Sequence, residues 1–194
     1  MIQMTLTEEE RQKHVRSKKM LLWFAMISMI MVFAGLTSGY IVSKKREDWV
    51  AFDLPMAFTI STILILISSI TFHLAKTSIQ KDKRSATSLF LLATLVLGGL
   101  FVYFQFAGFH ELYERQLFPS GSSSKITVSF LYVFVVVHLA HLAGGLISLL
   151  VVIYNHFKQK YNSGQTLGLE LGAMFWHFLD FLWLYLFLFL YFFK

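Results

Sequence analysis

Residues 170–193 read ELGAMFWHFLDFLWLYLFLFLYFF, and this stretch settles the class of fold. Its only charges are Glu170 at the edge and Asp180 inside. A bilayer core about 30 Å thick is crossed by about 20 apolar residues in a helix. Backbone N–H and C=O groups in lipid must be satisfied within the segment, which leaves a helix as the conformation for a run of this length. Working back toward the N-terminus, four more such runs occupy about 20–42, 54–75, 86–109 and 127–155. The length of the fourth predicts tilt or projection beyond the membrane. No run has an interior proline, and Pro55 stands at a helix start, where its missing N–H costs nothing. The expected fold is all-α: a five-helix transmembrane bundle over residues 20–194, after a cytoplasmic leader of residues 1–19.

Composition agrees. The chain is 56% hydrophobic with mean hydropathy +0.62, and only 14% of its residues are charged, against about 25% in a soluble domain. Among its 28 charged side chains, only Asp180 lies well inside an apolar run. The absence of Cys excludes a disulfide framework, a thiolate metal site and an iron–sulfur cluster carried by this chain alone.

Five spans put the N-terminus, segment 76–85 and segment 156–169 on one side, with 11 Lys and Arg against 6 on the other. The positive-inside rule then predicts N-terminus in and C-terminus out. Thr7-Glu8-Glu9-Glu10 reads as a capping box opening a short surface helix. That helix turns basic at Arg11, Lys13, Arg16, Lys18 and Lys19, a solvated juxtamembrane run. Basic patches with stacking aromatics on a soluble surface are missing, so nucleic acid is not an expected partner. Segment 110–126, with Pro119-Ser120-Gly121-Ser122-Ser123-Ser124, reads as a flexible loop.

Helices in lipid associate through small residues and polar contacts. Gly35 and Gly39 form a GxxxG match on the first helix, Ala140, Gly144 and Ser148 a small-residue stripe on the fourth, and Gly145 is a further expected packing position there. Met26, Met29 and Met31 read as gap fillers. Trp23 and Trp49 suit the interfacial belt. His73 reads as an interfacial residue at a helix end. The intramembrane polar set is Gln105, His138, His141, His177 and Asp180. A carboxylate at a helix centre costs about 2.5–3.5 kcal/mol, so Asp180 needs a partner or a proton. His177 and Asp180 share a helix face, as do His138 and His141. His138 and Asp180 fall at similar depth on consecutive helices, which predicts a buried Asp–His network fixing the fourth helix to the fifth. The same set has enough ligands for zinc, and a role in proton movement is a further alternative. A small transporter or channel is the rival of a different class, though paired repeats and broken helices are missing.

Phe175-Trp176-His177-Phe178-Leu179-Asp180-Phe181-Leu182-Trp183-Leu184, with Phe187 and Tyr191, resembles the last-helix signature of heme-copper oxidase subunit III, the cytochrome c oxidase subunit 3 family. Its core is Trp176, His177, Asp180 and Trp183. His138-Leu139-Ala140-His141, with Gly145 after it, is similar to the family's preceding His-containing segment. Leu54-Pro55, Ser61-Thr62 and Ser68-Ser69-Ile70-Thr71 resemble its Pro-started helix. Thr94, Leu97-Gly98, Phe101 and Gln105, and Ser28 through Tyr40 with Phe33-Ala34-Gly35, match in order.

The resemblance implies the five-helix bacterial form in the cytoplasmic membrane. It implies a bundle with a lipid-holding, V-shaped cleft, docked on subunit I beside subunit II. Hemes and copper are then expected in those partners, with no cofactor or metal on this chain, bound phospholipid in the cleft, and sustained turnover as the role. A larger respiratory supercomplex stays open, as does a quinol oxidase or nitric oxide reductase in place of a cytochrome c oxidase. Where many members have Glu, this chain has Met29 and Gly108, so neither position carries a proton.

Overall fold

The computed structural model describes residues 8–50, 52–121, 125–162 and 165–193. Five helices follow one another: α1 Glu8–Ser43, α2 Met56–Gln80, α3 Arg84–Glu114, α4 Ile126–Phe157 and α5 Leu167–Phe192. All five are long and apolar enough to cross a membrane. The third and fourth helices outrun their apolar stretches at both ends, and α2 outruns its own at the C-terminal end, because backbone hydrogen bonding continues into the polar margins. At 36 residues, α1 is about 54 Å long. It passes unbroken through the basic leader, so the described part of that leader is the first turns of α1 rather than a separate surface helix. Thr7 of the expected capping box and Ser122–Ser124 of the loop lie outside the described residues.

The buried positions explain how the helices meet. On α3 they are Thr87, Leu91, Thr94, Gly98, Phe101, Gln105, Gly108 and Leu112. Their alternating spacing of four and three keeps one stripe facing inward, as in coiled-coil packing. On α5 the same rule places Leu169, Trp176, Trp183 and Leu190 seven apart, all buried. Contacts of α2 with α3, α3 with α4, α4 with α5 and α5 with α2 close a four-helix ring. The first helix lies outside that ring, against α4 and α5. Its buried side chains Met26, Phe33, Thr37 and Tyr40 form one narrow stripe. Met31 points outward instead of filling a gap.

The ends of α2, α3 and α4 share one device. Asp82, Gln116 and Gln159 adopt left-handed backbone angles, with φ of 54°, 60° and 56°. The next residue then folds its N–H back: Lys83 to the Ser78 carbonyl, Leu117 to Leu112 and Lys160 to Asn155, each at 3.0 Å. Carbonyls of the last turn that lack a helical partner are thereby satisfied. Only residues 81–83 are needed to reverse the chain between α2 and α3.

At the opposite end, Arg115 donates to the Asp53 carbonyl and Val50 N–H to Thr127 Oγ1, tying the α1–α2 link to α3 and α4. In that link the hydrogen-bonded Arg46 guanidinium holds the Asp48 carboxyl below its ordinary range. Trp49 is more than a belt anchor: it packs edge-on against Tyr40 at 4.7 Å. Tyr40 in turn touches Phe130, Phe134 and Phe189, which joins α1, α4 and α5.

Candidate functional site

The most specific arrangement in the chain is the seam between α5 and α2. These helices run antiparallel, so ascending α5 meets descending α2. Trp176 Nε1–H donates to Ser68 Oγ at 3.0 Å, and Trp183 Nε1–H to Thr62 Oγ1 at 2.9 Å. Next to the first of these bonds, His177 Nδ1 pairs with Ser69 Oγ at 2.6 Å. Each indole places a large apolar ring in the bundle and gives its one donor a partner, the condition for burying Trp without loss. Interhelical hydrogen bonds in lipid contribute about 0.6 kcal/mol each, with a maximum near 1.7. Their greater effect is to fix the rotation of α5 about its axis.

Trp176 is held by absence of side chain on two sides. A Cβ on Gly98 of α3 would stand 2.8 Å from its Cη2, and one on Gly145 of α4 would stand 3.6 Å from its Cε3. One α5 side chain thus touches all three other helices of the ring. Trp183 does the same one level on: its ring lies 5.1 Å from Phe101, 5.1 Å from His138 and 6.2 Å from Phe58.

The polar set separates into distinct places. Gln105 on α3 donates through Nε2 to Ser61 Oγ on α2 at 2.8 Å, while its Oε1 has no protein partner. His138 is fully buried between Phe101 and Trp183, and neither of its ring nitrogens is hydrogen-bonded. His141 donates from Nδ1 to the Val137 carbonyl at 2.7 Å and sits beside Phe33 of α1. Asp180 is buried, and neither carboxyl oxygen makes a hydrogen bond. The expected Asp–His network between α4 and α5 is therefore not formed. His138 turns toward the rings of Phe101 and Trp183, and Asp180 belongs to the α2 side of α5. His73, read as a lone interfacial residue, lies 6.3 Å ring to ring from His177. Among the described residues no cluster of three or more potential ligands could hold a metal ion.

The small-residue stripes also need correcting. On α4 the close approach is at Gly145, where a Cβ would meet Leu179 Cδ1 at 2.6 Å. Gly144 meets nothing within 4 Å, and Ala140 is exposed. Ser148 lies near Gly172 of α5, its Oγ 3.7 Å from a Cβ built there. On α1, Gly35 also meets nothing within 4 Å, and Gly39 makes ordinary contact with Phe130 at 3.5 Å. The stripe through Ala140 and Gly144 thus faces away from the rest of the chain. The hydroxyls Thr62, Ser68 and Ser69 were not singled out as site residues. Their signal was the density of Ser and Thr in an otherwise apolar α2, since hydroxyls at membrane depth seek helix partners.

Comparison with known proteins fits this geometry. A family described as Cytochrome c oxidase subunit III matches residues 48–194. The chain is 31% identical over 155 residues to Cytochrome c oxidase subunit 3 of Alkalihalophilus pseudofirmus, covering 80% of this chain and 73% of that one. Cytochrome c oxidase subunit 3 of Corynebacterium diphtheriae is 27% identical over 175 residues, covering 84% and 82%. Cytochrome bo(3) ubiquinol oxidase subunit 3 of Pseudomonas aeruginosa is 26% identical over 172 residues, covering 85% and 79%. The chain belongs to the cytochrome c oxidase subunit III family. It is subunit III of a heme-copper oxidase, of the cytochrome c or the quinol type, and so a multi-pass membrane protein with catalytic partner subunits in a respiratory chain.

Proposed function

We propose that this chain is a non-catalytic subunit of a cytochrome c oxidase that sustains turnover of the catalytic subunit, with hemes and copper carried by subunits I and II. The observation that carries this reading is the use of its deep histidines. His138 packs on two aromatic rings, His141 is bonded to a backbone carbonyl, and His177 is bonded to Ser69. Axial heme ligation and copper binding need imidazoles that converge on one cavity, and these three face different partners. The choice of cytochrome c as donor follows the relative at 31% identity, with quinol oxidase subunits at 24–28% as the alternative. The Lys and Arg distribution supports a cytoplasmic N-terminus and a cytoplasmic α2–α3 turn.

A lipid role fits the same reading. Ile30, Phe33 and Ala34 of α1 face Phe178, Phe181 and Tyr185 of α5 across an apolar cleft of about 270 Å³. Its lining suits an acyl chain. The Tyr185 hydroxyl, 3.4 Å from Thr37 Oγ1, supplies a polar link between the two helices.

The test is oxygen consumption by the oxidase purified with and without this chain. The depleted enzyme is expected to start near the intact rate and to lose activity faster over successive turnovers. Immediate loss of heme or of the initial rate would instead place a redox centre on this chain.

A further inference from the structure

We propose that the outward face shared by α2 and α5, marked by His73 and His177, is where a membrane helix of the catalytic subunit docks. The case begins with where polar groups are exposed. His73 stands about 10 Å from the C-terminal end of α2, and His177 about 15 Å from the start of α5. Both lie inside the apolar stretches, where ionisable side chains face protein rather than lipid. Yet His73 is exposed and His177 half-buried. Their rings lie 6.3 Å apart, and both border one shallow, open depression with Ser69, Ile70 and Leu74. Ser69 Oγ pairs with Nδ1 of His177 at 2.6 Å, which leaves Nε2 of that ring to another partner.

The other outward faces differ. On α3 it is Leu92, Val96 and Leu100 that are exposed, and on α4 Val136, Ile147 and Val151. His138 is buried in the ring, and His141 is bonded to the Val137 carbonyl beside Phe33 of α1. His110, just past the apolar stretch of α3, pairs with Glu114 at 3.3 Å. Among the described residues, an exposed imidazole inside an apolar stretch occurs only on α2.

The occupant follows from what this face needs. Acyl chains offer no hydrogen-bond acceptor, so lipid leaves the two imidazoles unsatisfied. A second copy docked about a two-fold axis would set the same imidazoles against each other. The first helix is already seated elsewhere, against the Phe178 and Phe181 side of α5. The chain is one subunit of an oxidase whose catalytic subunits share its membrane. A helix of that partner can bring hydroxyl, carbonyl or carboxylate acceptors to the level of His73 and His177. The seam for it is the row Ile63, Ile67, Ile70 and Leu74, each between 40% and 60% exposed. Its spacing of four, three and four is that of one helix packing along another.

The experiment places a benzophenone-bearing amino acid singly at position 70, 74, 96 or 147 of the tagged chain. The intact complex is irradiated in its membrane, and the adducts are identified by mass spectrometry. Ile70, Val96 and Ile147 lie at similar depth on α2, α3 and α4. Adducts with the catalytic subunit are expected from positions 70 and 74 and not from 96 or 147. Adducts with that subunit from 96 or 147, two copies of this chain joined through 70, or no protein adduct from 70 and 74 overturn the proposal. Alanine variants repeat the test without a bulky group. Ile70→Ala is expected to lower the catalytic subunit recovered with the tagged chain by about fivefold, the effect of truncating an interface anchor, and Val96→Ala to leave it unchanged. Equal recovery with the two variants overturns the proposal. The proposal rests on the chain being a subunit beside a catalytic partner, and recovery of that partner with the wild-type chain checks this separately from the face.

Discussion

Replacing Trp176 with alanine is expected to destabilise the chain by about 3–5 kcal/mol, the range for deleting a buried large aromatic side chain. Trp176, like Trp183, reaches α2, α3 and α4 together: it donates to Ser68, covers Gly98 and Gly145, and lies 6.2 Å from the Phe72 ring. Its loss empties the centre of the four-helix ring and orphans the Ser68 hydroxyl. Trp176→Phe keeps most of the ring contact and removes the donor, so it is expected to lose about 1 kcal/mol, in line with one interhelical hydrogen bond. Thermal unfolding in detergent and the yield of assembled complex both read the difference. Equal stability of the alanine and phenylalanine variants would mean that Trp176 does not fill the centre.

The second large effect is expected from one added methyl group. Gly98→Ala places a Cβ 2.8 Å from Trp176 Cη2 and 3.1 Å from Cζ2, against an indole already backed by α4. Overpacking of this kind costs about 1–3 kcal/mol. Gly99→Ala, one residue along α3, meets nothing within 4 Å and gains the better helix propensity of alanine. The two variants carry the same chemical change and differ only in direction around the helix. A lower unfolding temperature is expected for Gly98→Ala and none for Gly99→Ala.

That directional sensitivity also marks how far the sequence could be read. Five helices and their order were legible because apolar length is a local property, set by the width of a bilayer. The extension of α1 back to Glu8 was not, since a basic segment continues the backbone ladder as readily as it ends it. Asp180 and Gln105 were identifiable as costly residues in lipid, and the spacing of Trp176, His177, Asp180 and Trp183 was enough to reach the family.

Pairing was harder to read. His138 and Asp180 share a depth, yet depth leaves rotation about each helix open. The inward stripe of α4 runs Leu131, Val135, His138, Leu142, Gly145 and Leu149. Gly144 precedes Gly145 by about 100° of turn, which carries it off that stripe. The partners of α5 were set by packing of whole rings. Once Trp176 and Trp183 occupy the ring interior, Thr62 and Ser68 are the acceptors their N–H groups find, and His138 is left against aromatic faces.

The most direct test of the central claim is a pull-down of the tagged chain in mild detergent, followed by a reduced-minus-oxidised heme spectrum. Heme eluting with a larger membrane subunit, and none remaining on the separated chain, is the predicted result. A pull-down without heme would contradict an oxidase subunit, and heme retained by the isolated chain would contradict a non-catalytic one.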